Sequence, residues 1–275
     1  FERGYIASRS RHSSGSTVDL GLAPLGLTAA PRWQPGTAQV DCTAPYGERF
    51  VDGAADLGTG YDCFDEMAHA AGKDPYEFRR ALLGNRPRFK AVLERVAAMA
   101  NWGAPLPAGE GRGIALCESF GTIVGEVAHV AVSAEGGLRV RHVYAAVDCG
   151  DVVNPDSATA QVEGAIVFAL SAAMLSEITI AGGRVVETNF RDYPMIHLAD
   201  APRITAEFIR SDATLGGLGE PVVPPLAPTV TNAIFAATGV RVRNLPIRNQ
   251  AAAVGLTQSP DTRSAPPPTG GSPAR

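Results

Sequence analysis

The chain has 275 residues, 45% of them hydrophobic and 19% charged, and a formal net charge of -4. That balance describes a soluble globular chain with one large core or two modest ones, and it excludes a nucleic-acid binder working through a broadly basic surface. The best apolar run, residues 165–175, is about half the ~20 residues a spanning helix needs, so no membrane span is expected. Thirty glycines and 21 prolines suit a loop-rich α+β or α/β protein rather than a helical bundle. The four cysteines, Cys42, Cys63, Cys117 and Cys149, show no ligand spacing, which argues against a zinc site or a disulfide framework.

Along the chain, residues 1–60 carry no sustained apolar period and form a poorly patterned segment. Residues 61–249 read as one domain, and residues 250–275, rich in Ser, Thr, Pro and Gly, as a disordered tail. The domain opens with a helix over 64–71 that stops at Gly72. Asp74 then caps a second helix with Pro75 at its first position and Glu77 at its third. Phe89, Val92, Leu93 and Val96, spaced i, i+3, i+4, i+7, predict a third helix ending near Gly103. Strands follow over 113–120, 123–132 and 138–147, the last two split by a turn at Glu135-Gly136-Gly137. Asp156 is expected to cap a helix running to about Leu175. Further strands fit 177–180, 184–190 and 204–208, then a helix over 229–238 closed by Gly239, and a last strand over 240–242. Strands and helices mixed without a βαβ rhythm predict an α+β fold.

Few residues stand out chemically. Glu220 follows the glycine run Gly216-Gly217-Leu218-Gly219 and precedes Pro221, so it is a carboxylate in a stiffened loop that a ligand can approach. Such a group can act as a general base, although an ordinary solvated glutamate is the reading that local sequence favours. Gln161 shares a helix face with Gly164 or Ala165 and Phe168, a face small enough for a large ligand or another backbone. Close helix packing with Gln161 exposed is the competing reading. Asp148-Cys149-Gly150 can line a site, or Asp148 and Asn154 can bond their own backbone. His129 and His142 read as cross-strand or partly buried residues. No GxSxG, Walker or paired-histidine motif is present.

The run AVDCGDVVNPDSATAQVEGAIVFALSAAM (146–174), then NFRDYPMI (189–196) and GGLGEPVVPPLAPTVTNAIFAATGVRVRNLPI (216–247), resembles the C-terminal part of the molybdenum hydroxylase large subunit. This is the xanthine dehydrogenase and aldehyde oxidoreductase superfamily, and DEMAHAAGKDPYEFRRALL (65–83) is similar to its isoquinoline oxidoreductase beta-subunit branch. The resemblance runs from about Phe64 to Ile247. It implies the C-terminal part of a molybdopterin-binding domain, with Glu220 as general base and Gln161 and Gly219 against the cofactor. That cofactor would be molybdenum on a molybdopterin cytosine dinucleotide. It also implies oxidation of a small aromatic N-heterocycle or an aldehyde with water-derived oxygen, and a small [2Fe–2S] electron-transfer subunit as partner. The chain by itself is expected to be inactive; a non-catalytic remnant and a docking module for the iron–sulfur subunit are the alternatives. The cytoplasm is the default compartment and the bacterial periplasm the other.

Overall fold

The computed structural model describes residues 63–250. The segment 1–60 and nearly all of the expected tail lie outside the described residues. Three helices come first. Helix α1 (Cys63–Ala70) ends before Gly72, whose φ of 62° is the left-handed conformation expected after a helix. Helix α2 (Pro75–Leu82) is capped by Asp74, which accepts hydrogen bonds from the backbone N–H groups of Tyr76 and Glu77. Helix α3 (Pro87–Met99) buries the expected apolar face, Val92, Leu93 and Val96.

A mixed sheet forms the centre. Strands β1 (Glu110–Ser119), β2 (Thr122–Val132) and β3 (Leu138–Asp148) run antiparallel in sequence, and β6 (Arg203–Phe208) adds parallel to β3, giving the order β1-β2-β3-β6. Between them lie helix α4 (Pro155–Met174) and a small hairpin of β4 (Ile180–Ala181) and β5 (Arg184–Val185). Helix α5 (Val223–Thr238) and a short 3-10 turn (Ile247–Gln250) complete the fold. The period of two sorts the β2 side chains between two cores. Ile123 and Val127 meet α3 on one face, while Val124, Ala128 and Val130 meet α4 and α5 on the other. The architecture is α+β, as expected.

Helix α5 lies directly on the backbone of β1. A Cβ added at Gly111 would sit 2.3 Å from the carbonyl oxygen of Ala233, and one added at Gly113 would sit 2.2 Å from both the Ala233 nitrogen and the Thr229 oxygen. Only glycine permits that approach.

Several boundaries differ from those expected. The cap of α4 is Asn154, whose Oδ1 accepts from the Ser157 N–H, while Asp156 sits inside the first turn. Helix α4 is 20 residues long, so it reaches spanning length, which the apolar run 165–175 did not suggest; its buried side, with Val162, Ile166 and Leu170, belongs to the core. Helix α5 begins at Val223 rather than at 229. Pro224 and Pro225 occupy its first turn, where N–H groups have no intrahelical acceptor, so the missing donors cost nothing. Residues 240–242 are no strand. Arg241 is drawn into a buried ion pair with Asp65 at 2.5 Å, stacked 3.5 Å from the centre of the Phe235 ring, while Val242 enters the core. The strands expected over 177–180 and 184–190 shrink to two residues each, because this segment is almost wholly exposed and finds no further strand to pair with.

Candidate functional site

The loop between β6 and α5 is pinned to the ends of three strands. The Ile209 N–H donates to the Val147 carbonyl at 2.8 Å, Gly216 to Cys149 at 3.0 Å and Gly217 to Phe120 at 2.9 Å. The Thr122 hydroxyl donates in turn to the Gly217 carbonyl at 2.5 Å. Phe120 itself has a φ of 51°, in the left-handed region that bulky residues avoid, so the β1–β2 turn that supports the loop is strained. Gly216 and Gly217 are glycines because the chains touch there. A Cβ at Gly216 would sit 2.3 Å from the Thr122 hydroxyl, and one at Gly217 would sit 2.9 Å from the Cβ of Phe120.

Beyond those bonds the loop opens. Gly219 and Glu220 are exposed, and α5 starts immediately after them, with the Val223 N–H donating to the Glu220 carbonyl at 2.9 Å. The Gln161 side chain comes to this place from α4. Its Oε1 lies 3.5 Å from the position a Gly219 Cβ would take, an ordinary contact distance. The structure thus brings Gln161 and Gly219 together, with Glu220 next in the chain. Gln161, Gly164 and Phe168 share the exposed face of α4, and nothing lies within 4 Å of where a Gly164 Cβ would be. Ala165 is buried and belongs to the opposite side.

The turn at Asp148 is an anchor. Asp148 is 1% exposed, and its carboxylate accepts from the Arg88 Nε at 2.7 Å, the Ser211 hydroxyl at 2.5 Å and the Gly150 N–H at 3.2 Å. Burial pushes its pKa up, but these donors outweigh burial and hold it below the usual carboxylate range. The neighbouring Cys149 thiol is buried, and burial raises its pKa, so it is an unreactive core group. His129 and His142 are cross-strand partners, as expected. His129 lies 2.7 Å from the Glu110 carboxylate, and His142 bonds the Thr205 hydroxyl at 2.8 Å and stacks on Tyr144.

Arg88, Thr122 and Ser211 escaped the sequence reading, because each meets its partner from 60 or more positions away and leaves no local pattern. Glu126 escaped it too, although a signal existed. It occupies an inward position of β2, between Val124 and Ala128, where the alternation calls for an apolar side chain.

Gln161, Gly219 and Glu220 fit one edge of a large polar ligand. The Gln161 amide lies near the Gly219 backbone, Glu220 is next in the chain, and neither side chain has a hydrogen-bond partner among the described residues. Among the described residues no group of three or more His, Cys, Asp and Glu side chains is placed to ligate a metal.

Residues 7–202 match the molybdopterin cofactor-binding domain family. The chain is 34% identical over 188 residues to the isoquinoline 1-oxidoreductase subunit beta of Brevundimonas diminuta, covering 67% of this chain and 24% of that one. It is 35% identical over 216 residues to a membrane-bound aldehyde dehydrogenase of Gluconacetobacter polyoxogenes whose name specifies pyrroloquinoline quinone, covering 69% and 27%. Among solved structures it is similar to quinoline 2-oxidoreductase from Pseudomonas putida 86, with a TM-score of 0.44 and 24% identity over 49% of this chain and 18% of the other. The chain spans about a quarter of the length of these two relatives. It belongs to the molybdopterin cofactor-binding family of the molybdenum hydroxylases.

Proposed function

We propose that this chain supplies one wall of the active site of an oxidoreductase that hydroxylates an N-heterocycle or an aldehyde with oxygen from water. The observation that carries the reading is the approach of the Gln161 amide to Gly219, with Oε1 3.5 Å from where a Gly219 Cβ would sit, directly before the exposed Glu220. Gln161 would hold the cofactor through an amide that can both donate and accept, and Gly219 leaves the loop backbone open to it. Molybdenum carried by a molybdopterin dinucleotide, in the cytosine form, supplies the two-electron redox chemistry when bound. Glu220 accepts, at a carboxylate oxygen, the proton released as water-derived oxygen attacks an electron-poor substrate carbon. The substrate class rests on relatives named for isoquinoline and for aldehyde. A small [2Fe–2S] subunit would take up the electrons, in line with a relative that is named as one subunit of an enzyme.

The test uses the assembled enzyme that contains this chain, isolated with its molybdenum. Glu220→Gln keeps the shape and the hydrogen bonds of the side chain but cannot take up the proton, so turnover per molybdenum should fall about 10²–10⁴-fold with molybdenum content unchanged. Gln161→Ala should instead lower molybdenum content before it lowers turnover per molybdenum. Wild-type turnover per molybdenum in Glu220→Gln would overturn the assignment and leave Glu220 an ordinary loop carboxylate. An assay for pyrroloquinoline quinone beside the molybdenum analysis separates this cofactor from the one in the second relative's name.

A further inference from the structure

Asp148 is remote in sequence from the Glu220 loop, and the proposed chemistry does not use it. It ends the central strand β3 and is 1% exposed. Its carboxylate ties its own turn to two segments remote in sequence. Arg88 reaches it from α3 on the opposite face of the sheet, Gly150 from the turn that follows, and Ser211 from the start of the Glu220 loop. The Arg88 guanidinium also donates to the Asp148 backbone carbonyl at 3.3 Å, which fixes the arginine to main chain and side chain together. The loop then runs against this turn, since a Cβ at Gly150 would sit 2.5 Å from the Ala213 oxygen and 3.0 Å from the Thr214 oxygen.

Among the described residues, Ser211 is the one side chain of positions 210–220 with a hydrogen bond to the sheet, and it makes that bond to Asp148. The other hydrogen bonds to the sheet, at Gly216 and Gly217, are made by the loop's backbone, and Leu218 packs against the core. We infer that Asp148 is a positioning residue for Glu220, acting through the Ser211 hydroxyl. This rests on the reading of Glu220 as the base. The physical reason is leverage. Glu220 is exposed and makes no side-chain bond among the described residues, so the place of its carboxylate is set by the backbone that delivers it. A displacement of about 1 Å at a reacting group can lower a rate by about 10²-fold.

Ser211→Ala tests this without disturbing the Arg88–Asp148 ion pair. The first readout is amide hydrogen exchange over residues 213–219 in the full chain, which should rise at least several-fold more than exchange in the rest of the fold. The second, on the molybdenum-loaded assembled enzyme that contains this chain, is turnover per molybdenum, which should fall about 10- to 100-fold with KM unchanged. Ser211→Thr, which keeps the hydroxyl, should restore both. A merely structural serine would move the unfolding midpoint and leave turnover per molybdenum alone, and that result overturns the inference. Glu220→Gln, run alongside, separates the two claims. If it loses turnover while Ser211→Ala keeps wild-type exchange and turnover, the anchor is wrong and the base stands. If Glu220→Gln keeps turnover, the base is wrong, and with it any part for Asp148 in the reaction.

Discussion

Glu126 and Asp148 are both buried acids, and the fold treats them in opposite ways. Asp148 has three donors and is held ionised, with its pKa below the usual range. Glu126 is 0% exposed, neither of its oxygens has a hydrogen-bond partner among the described residues, and its strand neighbours are Ala115 and Ala145. Burial therefore drives its pKa well above the ordinary value, and the neutral acid is the form the core tolerates. The linkage follows from which state holds the proton. Above about pH 4.5 the unfolded chain releases the Glu126 proton while the folded chain keeps it, so stability falls as pH rises until the folded-state group titrates. Glu126→Gln is neutral at every pH and nearly isosteric. Its stability relative to wild type should rise across that window by about 1.4 kcal/mol per pH unit, as read from urea denaturation at a series of pH values. A difference that does not change with pH would mean that Glu126 finds a partner in solution. For Asp148 the sign is reversed. Its contribution is fully present above the unfolded pKa near 3.9 and is lost as pH falls through the lower folded value.

At the scale of elements, α5 sets the geometry of the site, because Glu220 stands just before its first turn and its body rests on β1. Gly113→Ala would place a methyl 2.2 Å from two backbone atoms of α5, and neither can swing aside as a side chain would. The helix must shift, so a loss of about 3 kcal/mol or more is expected in chemical denaturation, at or beyond the upper end for overpacking. Gly164→Ala is the control. It sits inside α4 with nothing within 4 Å, and should stabilise by about 0.5–1 kcal/mol. Both glycines look alike in the sequence; only the packing tells them apart. What was legible there was whatever is local. The Asp74 cap, the apolar face of α3, the turn at Gly136 and the stop at Gly239 each follow from a few adjacent residues, and each stands where expected. The start of α5 was hidden by prolines that read as a loop yet fit a first turn. The loss of a strand at 240–242 was hidden by Asp65, 176 positions away, which captures Arg241. For the candidate site, Gln161, Gly219 and Glu220 were named through resemblance, whereas the residues that hold the loop, Arg88, Thr122, Asp148 and Ser211, come from four distant segments.

Taken whole, the molecule is tied together more firmly than its site is enclosed. Asp65 and Arg241 join α1 to the segment after α5 through a buried pair, and Arg95 and Glu207 join α3 to β6 at the surface. The pair at Asp65 carries an unpaired nitrogen on Arg241, so it speaks for a defined arrangement of the two ends more than for stability. The candidate site, in contrast, lies on an open face. Gln161, Gly219 and Glu220 are all exposed, and so is Phe168 on the same side of α4, at 63%. Farther along, Phe190 is 81% and Leu198 94% exposed, apolar side chains left in water by the described residues. Ligand sites of useful affinity enclose about 70–90% of what they bind, and a pterin dinucleotide laid on this face would meet the described residues on one side only. Purified as the 275-residue chain, the protein should therefore carry molybdenum well below one atom per chain, and should show no turnover with aldehydes or N-heterocycles. The measurement is elemental analysis of protein expressed with excess molybdate, beside Gln161→Ala as reference. If occupancy in the wild type is already low for want of enclosure, Gln161→Ala should barely change it. If the wild type were near one atom per chain and Gln161→Ala fell far below, Gln161 and its neighbours would suffice to hold the cofactor, and an open face would be no obstacle to retaining it.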